Sequence, residues 1–276
     1  MRLALFFSVL LLTLVGCSSV KLMYNQLDWL IPWYLDDYIT LDSAQSALLE
    51  QRLKTQLHWH RTTQLPDYAN RLRQINQSLQ NGLARTELIQ YSEQIDAYRT
   101  TLLRELIPDF VDLLATVTDA QVAELLTNLE NKNQEYQAEY VDLPIKELRE
   151  MRTDRARKHL QRWLGDITPA QERILRDWSQ DFASVGGARL AYRRQWQQQL
   201  QQLLAQRNDK AYLAESLEKL ISYPEEYGLV RERNRQLVID LLLKIDQSMT
   251  SGQRVHLSKK ITELADDFDA LAKAAD

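Results

Sequence analysis

A chain of 276 residues, 45% of them hydrophobic, is long enough to bury a substantial core as one large domain or two modest ones. Its formal net charge of −4 gives no electrostatic footprint for nucleic acid, and its single cysteine, Cys17, excludes an intrachain disulfide framework. Only seven glycines and no sustained apolar alternation argue against strands. Apolar residues recur at helical spacing, as at Leu237, Leu241 and Ile245. The expected fold is all-α, an elongated bundle of roughly eight to ten helices.

The chain opens Met1-Arg2 and runs on through the uncharged stretch Leu3 to Val15, LALFFSVLLLTLV. That run is shorter than the ~20 residues a membrane-spanning helix needs, and it has the form of a secretory signal peptide. Leu14-Val15-Gly16-Cys17 resembles the bacterial lipoprotein signal, in which the cysteine is acylated and becomes the new N-terminus. The resemblance implies a signal peptide over residues 1–16 and palmitate-type lipidation of Cys17. With Ser18 rather than Asp in the next position, it also implies the outer membrane of a Gram-negative bacterium, on its periplasmic face. Acyl chains contribute about 0.8 kcal/mol per buried CH₂, so attachment needs no membrane-spanning helix.

Residues 17–40 then carry Tyr24, Trp29, Trp33, Tyr34 and Tyr38, which predict an aromatic-rich first helix. Trp and Tyr favour the membrane interface, so Trp29 and Trp33 are candidates for an interaction surface there. The competing reading packs the segment on the main domain, away from lipid phosphates that Asp28, Asp36 and Asp37 would oppose.

One short phrase recurs four times: LDSAQ at 41–45, VTDAQ at 117–121, ITPAQ at 167–171 and MTSGQ at 249–253. Each places a helix-capping residue three positions before a glutamine: Asp42 and Gln45, Thr118 and Gln121, Thr168 and Gln171, Thr250 and Gln253. This is capping-box spacing, and Pro169 at a first helical position fits it. Leu41, Val117, Ile167 and Met249 precede the caps as hydrophobic staples, and Leu49, Leu125, Leu175 and Leu257 begin the buried stripes. Four helix starts follow.

The spacing of the copies, with VDLLATV before the second answering to IDLLLKI before the fourth, points to an internal duplication: 41–165 and 166–276. Punctuation at Pro66, Gly82, Pro108, Pro144, Gly165, Gly186-Gly187, Pro224 and Gly252 predicts the remaining boundaries.

The repeated phrase resembles the LTxxQ motifs of periplasmic stress proteins of the Spy/CpxP type, closely at VTDAQ and ITPAQ and less so at the other two. The chain as a whole resembles an uncharacterised family of proteobacterial lipoproteins, through YNQLDWLIPWYLDDY (Tyr24–Tyr38) and WLGDITPAQ (Trp163–Gln171). The second resemblance implies no activity.

Lys146, Arg149, Arg152, Arg155, Arg157, Lys158 and Arg162 form a basic stretch interrupted by acids. Arg149, Arg152 and Arg155 are the candidates within it for contacting phosphates or an acidic partner, against the alternative of a solvated helix face. His58 and His60, two apart on a helix, point to opposite sides and predict no metal site. No nucleophile motif or phosphate-cradling loop is present, and no catalytic residue or cofactor is expected. The expected function is a non-enzymatic binding module, chaperone-like or related to envelope stress. The alternative is a structural or assembly lipoprotein with one envelope partner.

Overall fold

The computed structural model describes residues 18–181 and 185–274. Cys17 and the signal-peptide reading lie outside the described residues. Every regular element among those described is helical, so the chain is an all-α multi-helix bundle. Two short helices, α1 (Ser18–Tyr24) and α2 (Leu27–Leu35), precede ten longer ones. These are α3 (Ser43–Trp59), α4 (Leu65–Asn81), α5 (Arg85–Leu114), α6 (Asp119–Tyr140), α7 (Ile145–Leu164), α8 (Pro169–Asp181), α9 (Gly186–Ala205), α10 (Lys210–Leu220), α11 (Glu225–Ser248) and α12 (Ser251–Lys273). The aromatic-rich first helix expected from the sequence is therefore broken in two, at Asn25-Gln26.

All four capping phrases begin helices, α3, α6, α8 and α12. Gly82 and Gly165 close α4 and α7 with φ of 82° and 78°, a region that glycine alone enters cheaply. Two prolines behave otherwise than punctuation predicts. Pro108 lies inside α5, where its missing N–H removes one bond from a helix packed along its length. Pro66 widens the helix instead of ending it. Residues His60–Gln64 form a π-helical turn joining α3 to α4, and the Leu65 N–H reaches back five residues to the His60 carbonyl. Thr62 and Thr63 hydroxyls donate to the carbonyls of His58 and Trp59 within the turn.

Two apolar clusters organise the bundle. The first gathers Ile39, Val111 and Val117 with Leu200, Leu203, Leu204 and Leu213, the staple Leu41 and Leu125 packing around them. The second gathers Leu164, Leu175, Leu241 and Ile245, with Ile167, Met249 and Leu257 around them. Leucines of α9 and α10 thus complete a cluster whose other members belong to α5, α6 and the segment before α3.

The reverse exchange is made by α12 on α4, the most extensive helix pair in the molecule. There α4 buries Leu65, Ala69 and Leu79 while α12 buries Ile261, Ala265 and Leu271. Arg73 donates to Asp266 and Asp269, and Arg254 reaches the Leu79 carbonyl. Segments 41–165 and 166–276 each lend a helix to the other.

The α6–α9 crossing is the tightest close approach that a single glycine controls. A Cβ on Gly186 would stand 2.2 Å from the Tyr140 carbonyl oxygen, whereas one on Gly187 meets nothing within 4 Å. Gly186→Ala is expected to destabilise the fold by about 1–3 kcal/mol through this overpacking, and Gly187→Ala to leave it unchanged or slightly stabilised. Chemical denaturation of the two variants checks the contrast.

Candidate functional site

The repeated glutamines do more than close their own helix starts. In each copy the cap side chain accepts from the glutamine N–H at 2.9–3.2 Å, and the glutamine Oε1 accepts from the cap N–H at 2.9–3.0 Å. Each glutamine amide then meets another. Gln45 and Gln121 exchange Nε2–H···Oε1 bonds of 3.1 and 2.6 Å, and Gln171 and Gln253 exchange two of 2.9 Å. The second hydrogen of every Nε2 goes to a backbone carbonyl two residues before the partner's cap. Gln45 bonds Thr116, Gln121 bonds Thr40, Gln171 bonds Ser248 and Gln253 bonds Asp166.

An amide offers two donors and two acceptor lone pairs, and all four are used in each of these side chains. Gln45, Gln171 and Gln253 are buried, with Gln171 wholly so. The result is two self-complementary clasps, one joining the starts of α3 and α6, the other those of α8 and α12. Capping alone does not require an amide: glutamate serves a capping box equally and suits the helix dipole better. Glutamine in all four copies is the signal in the sequence that the side chain must donate as well as accept.

The aromatic N-terminal segment divides into an inner and an outer face. Tyr24 OH bonds His60 Nδ1 at 2.7 Å, with Arg61 over the Tyr24 ring and its Nη2 on Asn25 Oδ1 at 2.9 Å. The π-helical turn is what turns His60 and Arg61 toward α1. Lys21 pairs with Asp267 of α12 at 3.2 Å; burial pushes the Asp267 carboxyl up, and Lys21 pulls it back. Tyr34 and Tyr38 share a hydroxyl bond of 2.8 Å, and Tyr38 is buried. Trp29 and Trp33 stack in parallel, 6.0 Å apart, and remain 60% and 42% exposed.

The candidate arginines lie elsewhere and are largely engaged inside the fold. Arg149 and Arg152 donate to the carbonyls of Gln180 and Ser179, capping the C-terminal end of α8 where the helix dipole favours a cation. Burial, and then the charge of Arg149, holds the Arg152 guanidinium below its usual value. Arg155 turns to α6, donating to Glu139 and Tyr140 OH and lying 5.1 Å over the Tyr140 ring. Beside them runs an open groove of about 660 Å³ between α7 and α8, lined by Lys146, Arg149, Arg157 and Arg176 with Glu150 and Asp154. Arg157 spans it to Glu172 and holds that carboxyl below its usual range.

A cluster that the sequence did not announce joins α5, α9 and α11. Tyr192 and Tyr227 stack at 4.8 Å, and Arg99 and Arg231 both lie over Tyr223. Its members come from positions 99 to 231, too scattered for any local pattern. Among the described residues, no group of three His, Cys, Asp or Glu side chains is placed to hold a metal ion. Nor is any helix among them long and apolar enough to cross a membrane.

Two measurements test these assignments. Gln171→Ala orphans the Thr168 N–H and half of the Gln253 amide, and should cost about 3 kcal/mol or more at so buried a site. Gln253→Ala should add little on top of it, a double-mutant cycle giving a coupling of about 1–3 kcal/mol. Burial also lowers the His60 pKa to about 4 from 6.5. Its contribution to stability is therefore complete above pH 6.5 and is lost as the pH falls through about 4, a loss of at most about 3 kcal/mol. Urea midpoints between pH 7 and 4 should fall less steeply in His60→Gln than in the parent chain.

The model of a family of unknown function, DUF6279, matches residues 37–229. The match takes in the whole first clasp, the WLGDITPAQ stretch, Gln171 and the groove, and ends before the fourth capping phrase. No curated protein and no solved structure matches the chain. With most of its length under that one match, the chain belongs to DUF6279.

Proposed function

We propose that the chain is a lipid-anchored, non-enzymatic binding module on the periplasmic face of the outer membrane of a Gram-negative bacterium, as its lipoprotein-like signal implies, and that it serves one envelope partner. The groove between α7 and α8 is the observation that carries this reading. It is open, it mixes charged side chains with the exposed Ile145, and its four cations outnumber its two carboxylates, which suits an acidic segment of a folded partner. Lys146 reaches out of it with its side chain 85% exposed.

Capture of many unfolded clients calls for contiguous exposed apolar area. Here the exposed large apolar residues outside the N-terminal segment are spread over four helices, Ile95 and Phe110 on α5, Ile145 on α7, Leu229, Val238 and Leu242 on α11 and Val255 on α12, with only Val238 and Leu242 a helical turn apart. The LTxxQ-like phrases do not favour a client surface either, because their caps and glutamines bond one another. Their likeness to Spy/CpxP-type motifs supports a shared way of joining helices.

Palmitate labelling of the chain in cells, abolished by Cys17→Ser, is the expected result for the anchor. Equimolar soluble chain should leave the aggregation of several unrelated unfolding proteins unchanged. A photo-cross-linker at position 146 should capture one dominant envelope protein, and Arg176→Glu should weaken that capture. Suppressed aggregation across unrelated clients would restore the general chaperone reading, and an unlabelled parent chain would remove the anchor.

A further inference from the structure

Residues 20–40 bond the bundle through some side chains and leave large apolar ones exposed next to the proposed lipidation site. The tyrosines face inward: Tyr24 is bonded to His60, Tyr34 to Tyr38, and Leu35 and Ile39 pack in the first apolar cluster. The tryptophans face outward, one helical turn apart and stacked, and Leu22 of α1 is 64% exposed. Neither helix hangs as a loose leash. Lys21 is paired to Asp267 and Arg61 to Asn25, while Thr40 donates through both its N–H and its hydroxyl to Glu124 at the far end of the segment. The exposed tryptophans are therefore held on a firm support.

We infer that Leu22, Trp29 and Trp33 form a membrane-contact face that seats the whole helical body on the bilayer surface in one orientation. The inference rests on the anchor reading given above. Its occupant follows from chain length: α1 begins at Ser18, directly after Cys17, and a helix rises about 1.5 Å per residue. Leu22 thus stands only about 6 Å along the helix from Ser18, the residue next to the one fixed at the lipid, too close for a protein partner to intervene. Indole is suited to that position, with an apolar body for the acyl boundary and an N–H for the headgroup layer.

The charge around the face selects the lipid. Asp28 lies beside Trp29, and Asp36 follows α2 on the exposed side, while Lys21 and Arg61 are bonded to Asp267 and Asn25. A zwitterionic surface suits this arrangement, and anionic lipid opposes it. The acyl chains supply attachment; the aromatic face supplies direction.

The test uses full-length chain purified from membranes, with acylation of its N-terminal peptide read by mass. It is reconstituted into phosphatidylcholine vesicles carrying shallow-brominated lipid, beside the W29F/W33F variant. Bromine should remove most of the emission by which the parent exceeds the variant, leave the other four tryptophans bright, and act less when phosphatidylglycerol replaces part of the phosphatidylcholine. Acylated parent chain whose Trp29 and Trp33 emission escapes bromine, while remaining open to aqueous acrylamide, would overturn the seated face and leave the anchor standing. A chain without acyl groups would sink the anchor reading and the seated face together.

Discussion

A primary amide buried away from water must satisfy two donors and two acceptors, and leaving one of them unmet costs about 1–3 kcal/mol. Four glutamines in this chain solve that requirement in pairs. Each accepts from its own helix cap, trades bonds with a second glutamine, and donates to the backbone that leads into the other's helix. The clasp thereby fixes position and direction at once, because the carbonyls of Thr40, Thr116, Asp166 and Ser248 are reached only if the two helix starts meet in one register. Apolar clusters assemble around each clasp, with Val117 and Leu125 near one and Ile167 and Leu257 near the other. Packing alone tolerates small slips; a closed ring of amides does not.

Around these two fixed points the chain exchanges helices. Leucines of α9 and α10 fill the cluster beside the first clasp, and α4 lies along α12, whose start belongs to the second. The π-helical turn at His60–Gln64 shares in this arrangement. By widening at Pro66 it carries one rod from the first clasp to the α12 interface and turns His60 toward Tyr24. The seat of the N-terminal helices is thus built from parts of both halves, and the bonds that hold α1 report on the assembly of the whole bundle.

Much of this was legible in the residues. Helical class, the four helix starts, the staples and the glycine terminators all follow from local chemistry, and local chemistry is what a sequence states directly. The pairing of the clasps was not read, since a capping box already accounts for each glutamine on its own. Only the choice of Gln over Glu hinted that a second partner was waiting. Pro66 and Pro108 misled for the opposite reason: their local preference is to end a helix, and packing along α4 and α5 prevails over it. The basic stretch was seen as a surface, yet the roles of Arg149 and Arg152 as caps of α8 depend on a helix that begins after the stretch has ended. The aromatic segment packs its tyrosines against the bundle and leaves its tryptophans outward, a division not legible beforehand because period and composition do not tell which side of a short helix finds a neighbour.

The contact of α1 with α12 orders events in time. Tyr24 and Asn25 meet His60 and Arg61 early, but Lys21 waits for Asp267, so α1 completes its seat only when α12 has been made. The leucines that complete the first cluster arrive late as well, at positions 200 to 213. A nascent chain emerging from the ribosome therefore carries an unfinished first cluster until α10 has been made, and α4 lacks its main partner until α12 follows. The same topology makes loss of α12 far more damaging than its late place in the order of elements suggests, because α4 and α1 both pack against it.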